Sequence, residues 1–148
     1  MFLSYTFFDT TILERHKSRL KWLKMAKTIN LKYFKLSEFD SPDELGSGSK
    51  MDKKFLEKLD YARHNAGIPF KINSGYRTKA WNSKVGGRVG SSHKKGIAAD
   101  IGYNGSRDRY IIVKSLMEVG ITRIGIGKSF IHCDVDKQKD QDVIWLYN

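Results

Sequence analysis

The stretch Ser91-Ser92-His93-Lys94-Lys95-Gly96-Ile97-Ala98-Ala99-Asp100 sets an imidazole and a carboxylate seven positions apart, with a glycine and small apolar residues between them. A second stretch, Phe130-Ile131-His132-Cys133-Asp134, sets another imidazole and another carboxylate two apart in an apolar run. These are the ligand types of a hydrolytic zinc centre, which takes three protein ligands and leaves a position open. The connection through Gly96 can turn back on itself, so a loop histidine and a strand aspartate can face one ion. If 130–135 is a strand, Ile131, Cys133 and Val135 take one face and His132, Asp134 and Asp136 the other. His93, Asp100 and His132 are therefore candidate metal ligands (Zn2+), with Asp134 a candidate proton acceptor beside them. Each residue also has an ordinary structural use. His93 suits a surface run, Asp100 a turn cap, and His132 a satisfied core position.

These groups need elements to hold them. Ser41-Pro42 through Gly46-Ser47-Gly48-Ser49 has loop composition. Ser49 with Asp52 three residues on resembles a capping box. Phe55, Leu59, Ala62 and Ala66 follow at helical spacing, and Gly67 with Pro69 ends that helix. Ile68 to Ile72 reads as a strand, Asn73 to Thr78 as a turn containing Arg77, and Trp81 to Ser92 as irregular. Gly96 to Ile101 is strand-like. Asn104-Gly105-Ser106 opens a helix with Tyr110, Val113, Leu116 and Met117 as its buried stripe and Gly120 as its stop. Arg123–Ile126 and Phe130–Val135 read as strands, and Val143–Tyr147 as a further one. Strands and helices mix without regular βαβ alternation, which predicts an α+β fold with a small, largely antiparallel sheet and flanking helices.

The bulk numbers set the class. The chain has 148 residues, 40% hydrophobic residues, mean hydropathy −0.49 and formal net charge +11. That length and composition suit one soluble globular domain, and the charge suits an anionic partner. Residues 1–35 hold eight basic and two acidic residues, and are expected to form a basic N-terminal extension ahead of a domain at 36–148. Ile12, Leu13, Leu20 and Leu23 would give a helix there one apolar stripe. Such a segment is either a solvated helix or a contact for an anionic polymer. Met25 is an alternative start. The apolar residues of 1–13 are too few to span a bilayer, and the basic residues follow them instead of preceding them, so no signal peptide is expected. A lone Cys133 excludes an intrachain disulfide.

Taken in order, Ser74-Gly75-Tyr76-Arg77-Thr78, Asn82, Ser92-His93-x-x-Gly96-x-Ala98-x-Asp100-Ile101, Gly125-Ile126-Gly127 and Phe130-Ile131-His132-x-Asp134 resemble the M15 family of zinc peptidases. These cut peptidoglycan stem peptides as D-Ala-D-Ala carboxypeptidases or L-Ala-D-Glu endopeptidases, and the small phage type is most similar. The resemblance runs from about Leu36 to Trp145. It implies the zinc DD-peptidase type of fold, zinc held by His93, Asp100 and His132, and Arg77 beside the substrate carbonyl as an oxyanion stabiliser. It implies that Ser92 helps hold substrate, with Tyr76, Trp81 and Trp145 near the groove. Many members carry an acid three residues before the last histidine. Here Ser129 stands there, which leaves Asp134 either as the base or as a group that holds a ligand histidine or Arg77. The expected activity is zinc-dependent hydrolysis of peptidoglycan peptides by a monomer made in the cytoplasm and acting at the cell wall, in a phage or virion setting. The alternatives are a zinc-containing peptidoglycan-binding module without turnover, and a basic nucleic-acid binder.

Overall fold

The computed structural model describes residues 29–147. The expected basic helix within 1–24 lies outside the described residues. The chain divides between Asn30 and Leu31, and every element below belongs to the unit Leu31–Asn148. Three α-helices are described, α1 (Lys53–Ala66), α2 (Lys79–Lys84) and α3 (Gly105–Glu118), with 3-10 turns at Leu36–Phe39, Ser47–Lys50 and Ser92–Lys95. Five strands, β1 (Lys71–Ser74), β2 (Ala98–Gly102), β3 (Arg123–Ile126), β4 (Phe130–Asp134) and β5 (Val143–Leu146), form one sheet in the order β1-β2-β4-β3-β5. All neighbours are antiparallel except β3 and β5. This is the α+β fold with a largely antiparallel sheet that the sequence predicts.

Alternation along the strands sorts the chemistry. Ala99, Cys133 and Ile124 are paired across β2, β4 and β3, as are Ile101, Ile131 and Ile126. Of these, all but Ile126 are fully buried. This apolar face carries the core with the helices. Phe55, Leu56, Leu59 and Ala62 of α1 and Ile112 and Leu116 of α3 have almost no exposed surface. The opposite face carries two polar rows. One is Asp100, His132, Gly125 and Trp145, and the next is Ala98, Asp134, Arg123 and Val143.

Local signals account for most boundaries and for the corrections. Asp52, rather than Ser49, caps α1, its side chain accepting from Phe55 N–H at 2.8 Å. Ser49 bonds its hydroxyl to the Gly46 carbonyl at 2.7 Å in the preceding turn. Gly67 closes the helix at φ 65. Strand β1 starts later than expected and absorbs Asn73 and Ser74, with a register shift between Ile72 and Ser74. The stretch expected to be irregular begins with α2, capped by Thr78 Oγ1 accepting from Trp81 N–H at 3.0 Å. In α3 the buried stripe is Ile112, Ser115 and Leu116, while Tyr110 and Met117 are 67% and 50% exposed. Ser115 belongs in that stripe because its hydroxyl donates to the Ile111 carbonyl at 2.8 Å.

Candidate metal centre

His93 lies in the 3-10 turn Ser92–Lys95 that leads into β2. Gly96 ends this turn at φ +70, and a Cβ there would stand 2.4 Å from the Lys50 carbonyl oxygen. Glycine alone meets both demands. The Gly96 carbonyl accepts from Asp52 N–H at 2.8 Å, which pins the turn to the start of α1. Asp100 and His132 face each other directly across β2 and β4. One potential ligand atom from each of His93, Asp100 and His132 lies within 4.8 Å of the other two. Asp100 Oδ1 is 3.2 Å from His93 Nε2 and 2.9 Å from His132 Nδ1, and those two nitrogens are 3.2 Å apart.

Both rings are fixed from behind. His93 Nδ1 is 2.7 Å from the Gly75 carbonyl oxygen, and His132 Nε2 is 2.9 Å from Asp134 Oδ2. A carbonyl or an ionised carboxylate can only accept, so these nitrogens carry the protons and donate. In neutral imidazoles the nitrogens facing Asp100 then present lone pairs. Two lone pairs and a carboxylate oxygen at these separations repel one another unless a proton or a cation stands among them. The donor set therefore fits a divalent cation, with two neutral imidazoles, one carboxylate and each histidine's second nitrogen satisfied.

Without a cation, protons take its place among these atoms, and the electrostatics describe that state. Burial works against ionisation of Asp100, but hydrogen bonds from His132 and His93 outweigh it and hold the carboxyl well below the usual carboxylate range. Burial lowers the His132 pKa, yet the bonds to Asp100 and Asp134 prevail and raise it. Asp134 is also held low, since His132, Asp136 N–H and Arg123 together outweigh its desolvation. Burial pushes the Cys133 thiol up, in keeping with its inert position on the apolar face.

Arg77 enters from the loop after β1. Its Nη2 donates to Asp100 Oδ2 at 2.8 Å and its Nε to Ser74 Oγ at 2.8 Å. Two directed bonds hold the guanidinium at the edge of the cluster. Trp145 and Tyr147 stand on the other side, with ring centroids 5.6 and 6.4 Å from His132. Gly125, opposite His132, leaves room for them. A Cβ there would come within 2.5 Å of Tyr147 and 2.6 Å of Trp145.

The remaining expected site residues are placed as follows. Asp134 is 1% exposed and sits behind His132, its Oδ1 accepting from Arg123 Nε at 2.8 Å and from Asp136 N–H at 2.9 Å. Ser92 is buried, its hydroxyl donating to Asp136 Oδ2 at 2.9 Å and accepting from Lys139 Nζ at 2.8 Å. Tyr76 lies beside Arg77 in the chain, with Lys50 Nζ 5.3 Å from its ring centroid. Trp81 lies on α2 under Lys84 Nζ, 4.9 Å from its ring centroid. Ser129 is exposed in the turn between β3 and β4. Arg123, 7% exposed, is the residue that sequence reasoning passed over. Its partner Asp134 is eleven positions away, across a hairpin, and no motif marks the pair. A separate cleft of about 550 Å³, lined in part by Lys54, Phe55, Lys95, Ile97 and Val135, contains none of the three clustered residues. The ligand chemistry, not cavity size, locates the site.

A sequence model of the family described as Peptidase M15 matches residues 32–134, a span that takes in Arg77, His93, Asp100, His132 and Asp134 and stops before β5. No curated protein matches the chain.

Proposed function

The chain belongs to the peptidase M15 family, and from that premise we propose that it is a zinc-dependent peptidase hydrolysing the stem or cross-link peptides of peptidoglycan. The observation that carries the reading is the convergence of two imidazole nitrogens and the Asp100 carboxylate, each histidine being met by an acceptor on its far nitrogen. His93, Asp100 and His132 would hold zinc, leaving a position open. Zinc, when bound, supplies Lewis acidity for activating water and polarising a peptide carbonyl.

The chain's own residues would position the reacting groups. Arg77 is already directed by Asp100 and Ser74, so its guanidinium stands ready for the oxygen that gains charge, without reorganising during the reaction. Asp134 serves as the group that orients His132, because its oxygens are taken by His132, Arg123 and Asp136 N–H and it is shielded from solvent. Ser92 braces the His93 turn through Asp136. Trp145 and Tyr147 stand beside the His132 ring. The basic charge of the whole chain favours contact with an anionic wall polymer.

The test is digestion of purified muropeptides by zinc-loaded protein, read by mass spectrometry. Cleavage of a stem or cross-link peptide, lost with chelator and in His93→Ala, is expected. Stoichiometric zinc and muropeptide binding without any cleavage would overturn the enzymatic reading and leave a binding module.

A further inference from the structure

Arg123 opens β3 and is buried, although it touches none of the three clustered residues. Burying a guanidinium is costly unless its N–H groups are met. Here Nε donates to Asp134 Oδ1 at 2.8 Å, Nη1 donates to the Asp140 carbonyl, and the guanidinium carbon lies 5.3 Å from the Trp145 ring centroid. Asp134 and Trp145 are also two of the side chains set against His132, the first at its Nε2 and the second beside its ring. Arg123, Asp134, His132 and Trp145 thus close a ring of four side chains across β3, β4 and β5.

We propose that Arg123 is a positioning residue for the metal centre. It holds Asp134 Oδ1 so that Oδ2 is presented to His132 Nε2, and it keeps Trp145 against the imidazole. Two contacts on one ring fix the direction in which His132 Nδ1 presents its lone pair. Arginine suits this role because its planar fork bonds a carboxylate and stacks on an indole at once, which lysine cannot do. The inference rests on His93, Asp100 and His132 being cation ligands, and extends that reading by one residue.

The test uses the full chain and measures zinc affinity by competition with a chromophoric chelator, for wild type, R123M, R123K, D134N and R123M/D134N. Loss of a group that orients a ligand histidine weakens metal binding by about 10–100-fold. R123M is expected to show a loss in that range and R123K a smaller one. R123M should cost less in the D134N background, where its route through Asp134 is already cut and only the one through Trp145 remains. Equal affinity in wild type and R123M, or fully additive losses, would overturn the proposal. If R123M does not fold, R123K decides by the imidazole nitrogen signals of the zinc form. A changed His132 ring supports the proposal, and an unchanged ring with wild-type affinity overturns it. Zinc that binds neither wild type nor any variant, with muropeptides uncut, overturns the reading of the cluster and this inference with it.

Discussion

Asp136 touches none of the three clustered residues but joins the segments that carry two of them. Its Oδ2 accepts from Ser92 Oγ and from Lys95 Nζ, both at 2.9 Å, and its N–H donates to Asp134 Oδ1. The turn holding His93 and the strand holding His132 are thereby tied through one buried acid. Desolvation opposes its charge, but Lys95, Ser92 and Gln138 N–H outweigh it and bring its pKa down to about 2. A depressed carboxyl stabilises the fold above its unfolded value, about 3.9, and loses that contribution as pH falls through the folded value. Acid titration of the metal-free protein should therefore show stability falling from about pH 4 toward pH 2. Asp136→Asn should be less stable at neutral pH and should lack that part of the acid loss, as followed by circular dichroism. At this scale the sequence was most legible where residue type and alternation act together. Alternation sets His132 and Asp134 on one strand face, whereas His93 and Asp100 are joined to them by the ordered motifs of the resemblance. Asp134's partner could not be, because an ion pair across a hairpin depends on register, and register depends on the whole sheet.

Among the elements, the β4–β3–β5 side of the sheet depends on a missing side chain. Gly125 stands in register with both His132 and Trp145. Its bare Cα lets the indole and the Tyr147 phenol lie over the sheet beside the imidazole. Gly125→Ala forces those rings outward and should cost about 1–3 kcal/mol as an overpacked site. The denaturation midpoint and the tryptophan fluorescence should both shift, and wild-type values for both would contradict the crowding. The sequence showed this strand pair but not why a glycine sits within it. It hid the α3 stripe for a related reason. Ser115 is polar by type yet buried because the helix backbone satisfies its hydroxyl, so the apolar period looked to be rotated toward Tyr110 and Met117. The helix α2 was obscured by its length. Six residues give too few turns for periodicity, and the Thr78 cap is its main local mark.

For the molecule as a whole, no helix among the described residues is long and apolar enough to cross a membrane. The chain carries 27 basic against 16 acidic residues, and eight of the basic ones fall in the first 35 positions. The α+β class was readable because mixed elements without βαβ regularity leave few layer architectures. The strand order was not, since local sequence does not say that β4 lies between β2 and β3. That order has a consequence in time. Asp100 and His132 become neighbours only when β2 and β4 pair, joining positions 32 residues apart, and His93 lies 39 residues from His132. The three clustered residues meet only when the native sheet has closed, so an ion held there, as proposed above, would stabilise the folded state after the main folding barrier is passed. Zinc should slow unfolding while leaving the refolding rate nearly unchanged. Stopped-flow folding and unfolding with and without zinc would show it, and a refolding limb accelerated by zinc would mean that the ligands gather before the strands do.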